Sequence, residues 1–398
     1  MLNDHIVAAP DEKSEMKSAA KTRHFVDHAA TTPLRPEART AMVENLGLAN
    51  PSGQYATARI AKKVLEESRE EIAELLGADP IEVVFTSGGT EADNLAISGL
   101  YFKASGSDIV VPPIEHDAVL KTCHHLEKEH WAKIVEAPVG ADGRVDMVQF
   151  PEISRQNTAL VTCMWANNET GTIQPVEEIA KRAKEARVPF HIDAVQAAGH
   201  LPIDFHASGA TTMAISAHKF GGPRGIGALL VRREAKLTPH NNGGGQERGL
   251  RSGTQDVASA AGMAAGLRAA VDAMATDNER IRGLTQQLIR AIVHIDGAII
   301  HTSELALPGH VYASFPGAEA DSLIMLFDAA GIDCSTGSAC SAGVNRPSHV
   351  LMAMGVSEPE ARSSIRFTLG YTSTQADVDA VISALPETVE RARRAGMA

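Results

Sequence analysis

Ser216-Ala217-His218-Lys219-Phe220-Gly221-Gly222-Pro223 closes the apolar run Thr212–Ser216 and turns the chain through Gly-Gly-Pro. The run reads as a β-strand, so Lys219 stands just past a strand end, beside a serine and a histidine. That is a poor place for an ordinary solvated charge, although by itself the segment is also compatible with a plain loop lysine. Gly225-Ile226-Gly227 follows and leads into another strand, Gly227–Val231. A dinucleotide fingerprint needs glycines that lead from a strand into a helix, so that reading is excluded.

Working outward from this segment, short Val/Ile-rich runs alternate with helical patterns over the first two-thirds of the chain. Further strands are expected at Val83–Thr86, Asp108–Val111, Ala159–Met164 and Phe190–Asp193. Helices are expected at Ala58–Leu76, Glu91–Lys103, His116–His130 and Val176–Ala186. Strands apolar on both faces, alternating with helices, predict an α/β fold with a largely parallel sheet covered by helices. Gly77 is a plausible stop for the helix before it. Near Ser259 the pattern changes. An Ala-rich helical stretch from Val257 to about Ala275 runs into a second, from Asn278 to about Val293. Strands at Ala298–His301 and Val311–Phe315, a helix at Glu319–Ala330 and a final helix after Thr374 follow. The expected organisation is a flexible tail (1–24), a large domain (25–257) and a smaller α+β C-terminal domain (258–398).

The 398 residues carry 37 basic and 49 acidic side chains, a formal charge of −12, which argues against a direct nucleic-acid-binding face. Hydrophobic residues at 44% and charged residues at 22% are an ordinary globular balance. No apolar stretch is long enough to span a membrane, and Met1 to His24 lacks the apolar core of a secretory signal. Cys123, Cys163, Cys334 and Cys340 are too few and too irregular for a disulfide framework, and no CxxC pair suggests zinc. A reducing, cytoplasmic compartment is expected. Cys123, His124, His125 and His130 lie close in sequence, but adjacent His124 and His125 cannot share one helix face, and no metal is expected.

Three further segments change the reading of Lys219. Thr86-Ser87-Gly88-Gly89-Thr90-Glu91 joins a strand to a helix, where small residues let backbone N–H groups approach an anion; a simple helix cap is the alternative. His191-Ile192-Asp193-Ala194-Val195-Gln196 puts a carboxylate at the end of a core strand, where it needs a cation or a donor; a structural salt bridge is the alternative. Asn241-Asn242-Gly243-Gly244-Gly245-Gln246-Glu247-Arg248 leads to Arg251-Ser252-Gly253-Thr254, a Gly-rich loop ending in groups suited to phosphate. Together these are the parts of a pyridoxal 5'-phosphate site: a Schiff-base lysine, an aspartate for the pyridine nitrogen, and a small-residue cup for the phosphate.

Here the chain resembles the fold-type I, class V pyridoxal-phosphate enzymes, and among them the NifS/IscS-like cysteine desulfurases. The resemblance runs from about Phe25 to Thr374. Besides the segments above it rests on Asp27-His28-Ala29-Ala30-Thr31-Thr32-Pro33, Glu115-His116-Asp117-Ala118-Val119, Asn167-Asn168-Glu169-Thr170-Gly171, Ser335-Thr336-Gly337-Ser338-Ala339-Cys340-Ser341-Ala342-Gly343 and Ser364-Ile365-Arg366-Phe367. It implies a mostly parallel seven-stranded sheet in the large domain. It also implies that Lys219 bonds the cofactor, Asp193 pairs with the ring nitrogen, Gln196 bonds the ring oxygen and His116 stacks on the ring. Gly89, Thr90, Ser216 and His218 would hold the phosphate, with Thr254 reaching it across a homodimer interface. Asn168 would lie near the ring oxygen and the substrate carboxylate, Arg366 would clamp that carboxylate, and Asn50 would assist.

Cys334 closes a probable strand, Gly331–Cys334, and reads as a buried small hydrophobe. Cys340 lies in a run of small residues that packs weakly, which suits a thiol that must travel. The resemblance points to the same residue. The implied reaction removes sulfur from L-cysteine, leaving alanine and a persulfide on Cys340, with Lys219 taking the Cα proton and His116 shuttling protons. The sulfur would pass to an acceptor protein, such as an iron–sulfur scaffold or a tRNA-thiolation enzyme. A selenocysteine lyase, a class V aminotransferase and a non-catalytic binding protein of the same fold are the alternatives.

Overall fold

The computed structural model describes residues 23–337 and 346–396. Most of the expected N-terminal tail, and Cys340 with its neighbours, lie outside the described residues. Seven strands form one sheet, in the spatial order Val83–Thr86, Gly227–Val231, Thr212–Ser216, Phe190–Asp193, Thr158–Met164, Asp108–Val111, Lys133–Glu136. Gly227–Val231 is antiparallel to both its neighbours, and every other pairing is parallel. Five of the six expected strands here have the expected bounds; Thr158–Met164 begins one residue earlier than expected, and Lys133–Glu136 was not anticipated. That edge strand exposes Lys133 and Glu136 and only half-buries Ile134 and Val135, so it lacks the apolar run that marks the central strands.

The central strands are buried along their whole length because helices cover both faces. Ile72, Val161, Ile192, Met213, Phe205, Phe220 and Leu267 share one core between the sheet and its helices. At the C-terminal ends of the parallel strands lie Val111, Met164, Asp193 and Ser216, the end where doubly wound sheets open a crevice for ligands.

Val257–Ile292 is one 36-residue helix rather than two stretches. Between the two expected stretches, Thr276 and Asp277 are weak helix formers, but neither Pro nor Gly breaks the run. Asn278 Nδ2 donates to the His200 carbonyl at 2.9 Å and Asp277 pairs with Arg35, tertiary ties that hold it helical, with a further pair to Arg280 one turn along the same helix. The helix contributes Met263, Ala264 and Leu267 to the first core, and Ile281, Leu284, Leu288 and Ile292 to a second.

The second core is closed by the antiparallel strands Ile299–Ile300, His310–Ser314 and Ser364–Thr368, and by the helices Ala320–Ala330 and Gln375–Gly396. Phe327 and Phe367 meet edge-on at 5.4 Å, a contact worth about 1 kcal/mol beyond its area. His24–Phe25 pairs in parallel with Ile332–Asp333, so the first described residues belong to this second core. The expected strand Gly331–Cys334 shortens to Ile332–Asp333. No described helix is long and apolar enough to cross a membrane.

Candidate active site

A cavity of about 400 Å³ opens at the C-terminal end of the sheet. Lys219 ends a single 3₁₀ turn, Ala217–Lys219, that follows its strand, and its Nζ donates to the carbonyls of Ala29 (2.6 Å) and Ala30 (3.1 Å). Burial, helped by the nearby Arg366 guanidinium, lowers its pKa from 10.5 to about 8. An amine poised there is available as a base and as a nucleophile near neutral pH.

Asp193 is buried at the end of its strand. Its Oδ1 accepts the Val195 N–H at 2.9 Å, and no described cation pairs with it. Burial, and secondarily Asp93, raise its pKa from 3.8 to about 7, against the opposing pull of His116. Asp93 also lines the cavity and meets His191 Nε2 at 3.2 Å, while His191 Nδ1 lies 2.9 Å from Thr212 Oγ1. Burial raises Asp93 to about 8 and lowers His191 to about 4.

The strand-to-helix turn forms a cup. Gly88 has φ +151° with ψ −177°, a conformation that is essentially glycine's alone. A Cβ on Gly89 would lie 2.7 Å from Val195 Cγ2, so a side chain there would have to displace the wall behind it. The helix Gly89–Tyr101 has no side-chain cap, and its first N–H groups lack intrahelical partners. Gly89, Thr90, Ser216 and His218 all line the cavity around this turn. His218 Nδ1 lies 3.2 Å from Thr31 Oγ1, and burial, then Lys219, lower its pKa to about 4.

His116 caps the helix Asp117–His130, its Nδ1 accepting the Ala118 N–H at 3.1 Å. That bond leaves the proton of the neutral ring on Nε2. Burial holds the imidazole below its ordinary pKa, with Asp193 pulling the other way. Gln196 Nε2 donates to the Ala29 carbonyl at 3.0 Å. Arg366 lies on the strand Ser364–Thr368 and donates to the Asn168 carbonyl (2.8 Å) and to Asp27 Oδ1 (2.7 Å); its Nε is buried without a partner. Asn167 shapes the turn that presents Asn168, its Oδ1 accepting the N–H groups of Glu169 and Thr170.

Gly89, Thr90, His116, Asn168, Asp193, Gln196, Ser216, His218, Lys219 and Arg366 therefore share one cavity. Two predicted residues do not join them. Asn50 is exposed, and its Oδ1 accepts the Ser52 N–H; Thr254 borders a separate open pocket with His240, Asn241 and Ser252.

Sequence reasoning gave no role to Asp93, Glu169, Tyr312, Ser335, Ser348 or His349. Tyr312 Oη donates to the Thr336 carbonyl at 2.8 Å, Ser348 Oγ donates to Glu169, and Ser335, Gly337 and His349 line the cavity. Asp93 lies two residues past the quoted Thr86–Glu91 segment and Glu169 inside a quoted one, and their burial was the missing signal. Of the cysteines, Cys123 and Cys163 are buried and Cys334 is partly so; burial pushes all three thiols well above their ordinary range.

The aminotransferase class-V model matches residues 24–381. An IscS-like cysteine desulfurase of Mycobacterium tuberculosis is 47% identical over 387 residues, covering 94% of this chain and 98% of its own. A cysteine desulfurase IscS of Dictyoglomus turgidum is 40% identical, covering 94% and 96%. Among solved structures, a NifS-like protein superposes with a TM-score of 0.87 at 32% identity, covering 93% of this chain and 100% of its own. The structure described as SspA in complex with cysteine has a TM-score of 0.77 at 36% identity, covering 88% and 100%. The chain belongs to the class-V aminotransferase family, within its group of cysteine desulfurases. Enzymes of this family are pyridoxal-phosphate dependent.

Proposed function

We propose that the protein is a pyridoxal-phosphate-dependent cysteine desulfurase that converts L-cysteine to L-alanine and leaves the sulfur as a persulfide on Cys340. The observation that carries this reading is the position of the two flanks of the Cys340 segment: Gly337 before it and His349 after it line the same cavity as Lys219. The other three cysteines, held as neutral thiols by burial, are poor nucleophiles. The membership of the cysteine desulfurase group supports the same conclusion.

The residues fit the cofactor. The buried Asp193 carboxylate has no described cation of its own, which suits a protonated ring nitrogen, and the Gly88–Gly89 turn leaves an uncapped helix N-terminus facing the cavity. When bound, pyridoxal phosphate supplies a sink for the electron pair released at the substrate Cα. Lys219 Nζ, poised by the Ala29 and Ala30 carbonyls, would hold the cofactor through its aldehyde carbon and would serve as the base for the substrate Cα proton. Asp193 would pair with the cofactor's ring nitrogen and favour its protonated form, and His116 would lie beside the cofactor with its Nε2 proton available to the reacting groups. Arg366, already fixed by Asn168 and Asp27, receives the substrate carboxylate. Cys340 thiolate attacks the substrate sulfur as the Cβ–S bond breaks, so cysteine and one thiol become alanine and one persulfide.

Thr254 and Asn50 stand outside the cavity of their own chain, which supports a homodimer in which Thr254 serves the partner's phosphate cup. We take 25–257 and 258–398 as the two domains, in keeping with the two apolar cores that the long helix joins. A thiol that must stay reduced suits the cytoplasm. Iron–sulfur scaffold assembly, or a tRNA-thiolation enzyme, is the proposed destination of the sulfur.

The test is to supply L-cysteine with a thiol reductant and measure alanine and sulfide. Cys340→Ser is expected to retain bound cofactor yet fall below about a thousandth of the wild-type rate, the scale seen when a nucleophile is removed. Alanine release at the normal rate from that variant would overturn the assignment. Arg366→Lys keeps the charge and loses the planar fork. Its KM for L-cysteine should rise about 10- to 100-fold, the worth of a charged hydrogen bond, with cofactor absorbance unchanged.

A further inference from the structure

The Gly-rich loop that carries Thr254 is fastened to its own chain far more firmly than a linker needs. Glu247 and Arg248 are consecutive non-glycine residues with φ of +46° and +61°, a backbone state that persists only where the surroundings over-determine it. Glu247 supplies that determination. Its side chain is 1% exposed and accepts four bonds: Arg69 Nη1 (2.7 Å), Arg69 Nη2 (2.9 Å), the Phe85 N–H (2.9 Å) and Gln255 Nε2 (3.1 Å). Arg69 also donates to the Val83 carbonyl at 2.7 Å, so the pair is bolted to the strand Val83–Thr86.

A second fastening lies on the far side of the phosphate cup. Arg251 Nε donates to Glu91 Oε1 at 2.8 Å, while Glu91 Oε2 accepts the Ser87 N–H at 2.6 Å. Burial alone would raise the Glu91 carboxyl, but the bonds from Arg251 and Ser87 hold it below its ordinary range. The loop thus grips Phe85 and Glu91, the two shoulders of the turn that forms the cup. Between these anchors, Gly253 N–H donates to Gln246 Oε1 at 3.0 Å, which closes the loop just before Thr254.

We infer that Glu247 is a positioning residue for the partner's cofactor site: seated on Arg69 and Phe85, it sets the loop so that Thr254 is presented to the phosphate cup of the second chain. This deepens the two-chain site proposed above and rests on it. A brace to the chain's own core leaves Thr254 little freedom to lose when the phosphate binds, and preorganisation of that kind raises affinity.

The test uses hybrid dimers in which one chain carries Lys219→Ala and cannot bond the cofactor, so only the other chain's cup is read. In one hybrid Glu247→Gln is placed on the Lys219→Ala chain; in the other it is placed on the chain that keeps Lys219. Both hybrids contain the same substitutions, so a general loss of stability affects them alike. The readout is the pyridoxal phosphate dissociation constant, from the absorbance of the bound cofactor and from the fraction fixed by borohydride. The same-chain arrangement is expected to bind at least about tenfold more weakly than the divided one, the scale of one lost hydrogen bond. Equal constants, or a weaker divided hybrid, would overturn the inference.

Thr254→Ala in the same pair of hybrids separates the two claims. If it shows the same-chain loss and Glu247→Gln does not, the two-chain site stands and the role of Glu247 fails. If neither shows it, the two-chain site itself fails, and the inference with it. Should Glu247→Gln yield no dimer, Arg251→Gln releases the second anchor, and the same comparison decides.

Discussion

Lys219→Ala is expected to lower kcat/KM for L-cysteine by at least about 10⁴-fold, the upper range for a single acid–base group, or about 5 kcal/mol of transition-state stabilisation. The size follows from the two roles that fall on one nitrogen, bonding the cofactor and taking the Cα proton. The fold should survive. Nζ makes its two bonds to the Ala29 and Ala30 carbonyls at the cavity, and removing it takes one buried cation away from Arg366. In cofactor-stripped protein the pH dependence has a definite sign. The folded pKa of Lys219, about 8, lies below the ordinary 10.5, so between these values the folded chain binds fewer protons than the unfolded one. Wild-type stability should therefore rise relative to the alanine variant as pH climbs from about 8 to 10.5. Thermal melts of both stripped proteins across that window check the sign. An alanine variant that turned over L-cysteine within a hundredfold of wild type would remove Lys219 from the chemistry.

The central sheet was legible because its strands are buried on both faces, and continuous Val/Ile runs mark such strands without tertiary knowledge. Lys133–Glu136 was not, since an edge strand exposed at both ends carries no such run. The long helix was legible in both halves but not at its middle, where Asp277 and Asn278 are tied to Arg35 and the His200 carbonyl. No local signal announces partners so distant in sequence.

The site divides in the same way. Lys219, Asp193 and the Gly88–Gly89 turn sit at strand ends beside small residues, and such junctions can be read in one dimension. Asp93 and His191 could not be matched, because a contact between a helix and a strand 98 residues apart depends on how the two pack. Glu169, Tyr312 and Ser348 are of the same kind. They come from three separate segments, and together they fix the ends of the chain on either side of Cys340.

Asp193→Asn tests the electron sink itself. Asparagine matches the aspartate in shape and can still accept the Val195 N–H through Oδ1, so the strand end keeps its geometry. What it cannot do is carry the negative charge that holds a proton on the ring nitrogen. With cofactor saturating, kcat should fall about 10³-fold, the upper range for removing one preorganised electrostatic partner, and cofactor affinity should fall with it. In cofactor-stripped protein the same substitution should act in the opposite direction on stability. Burial and Asp93 raise the folded pKa of Asp193 to about 7 from 3.8, so between those values the folded chain binds more protons than the unfolded one. Wild-type stability should then decline relative to the asparagine variant as pH rises from about 4 to 7, and above 7 the stripped variant should be the more stable protein. Adding pyridoxal phosphate should reverse that order, because the buried carboxylate then has a cation beside it and asparagine does not. Melting temperatures of both proteins at pH 8, with and without cofactor, give the comparison directly. If the asparagine variant stayed the more stable of the two with cofactor bound and turned over L-cysteine within tenfold of wild type, Asp193 would have no part in holding the ring's proton.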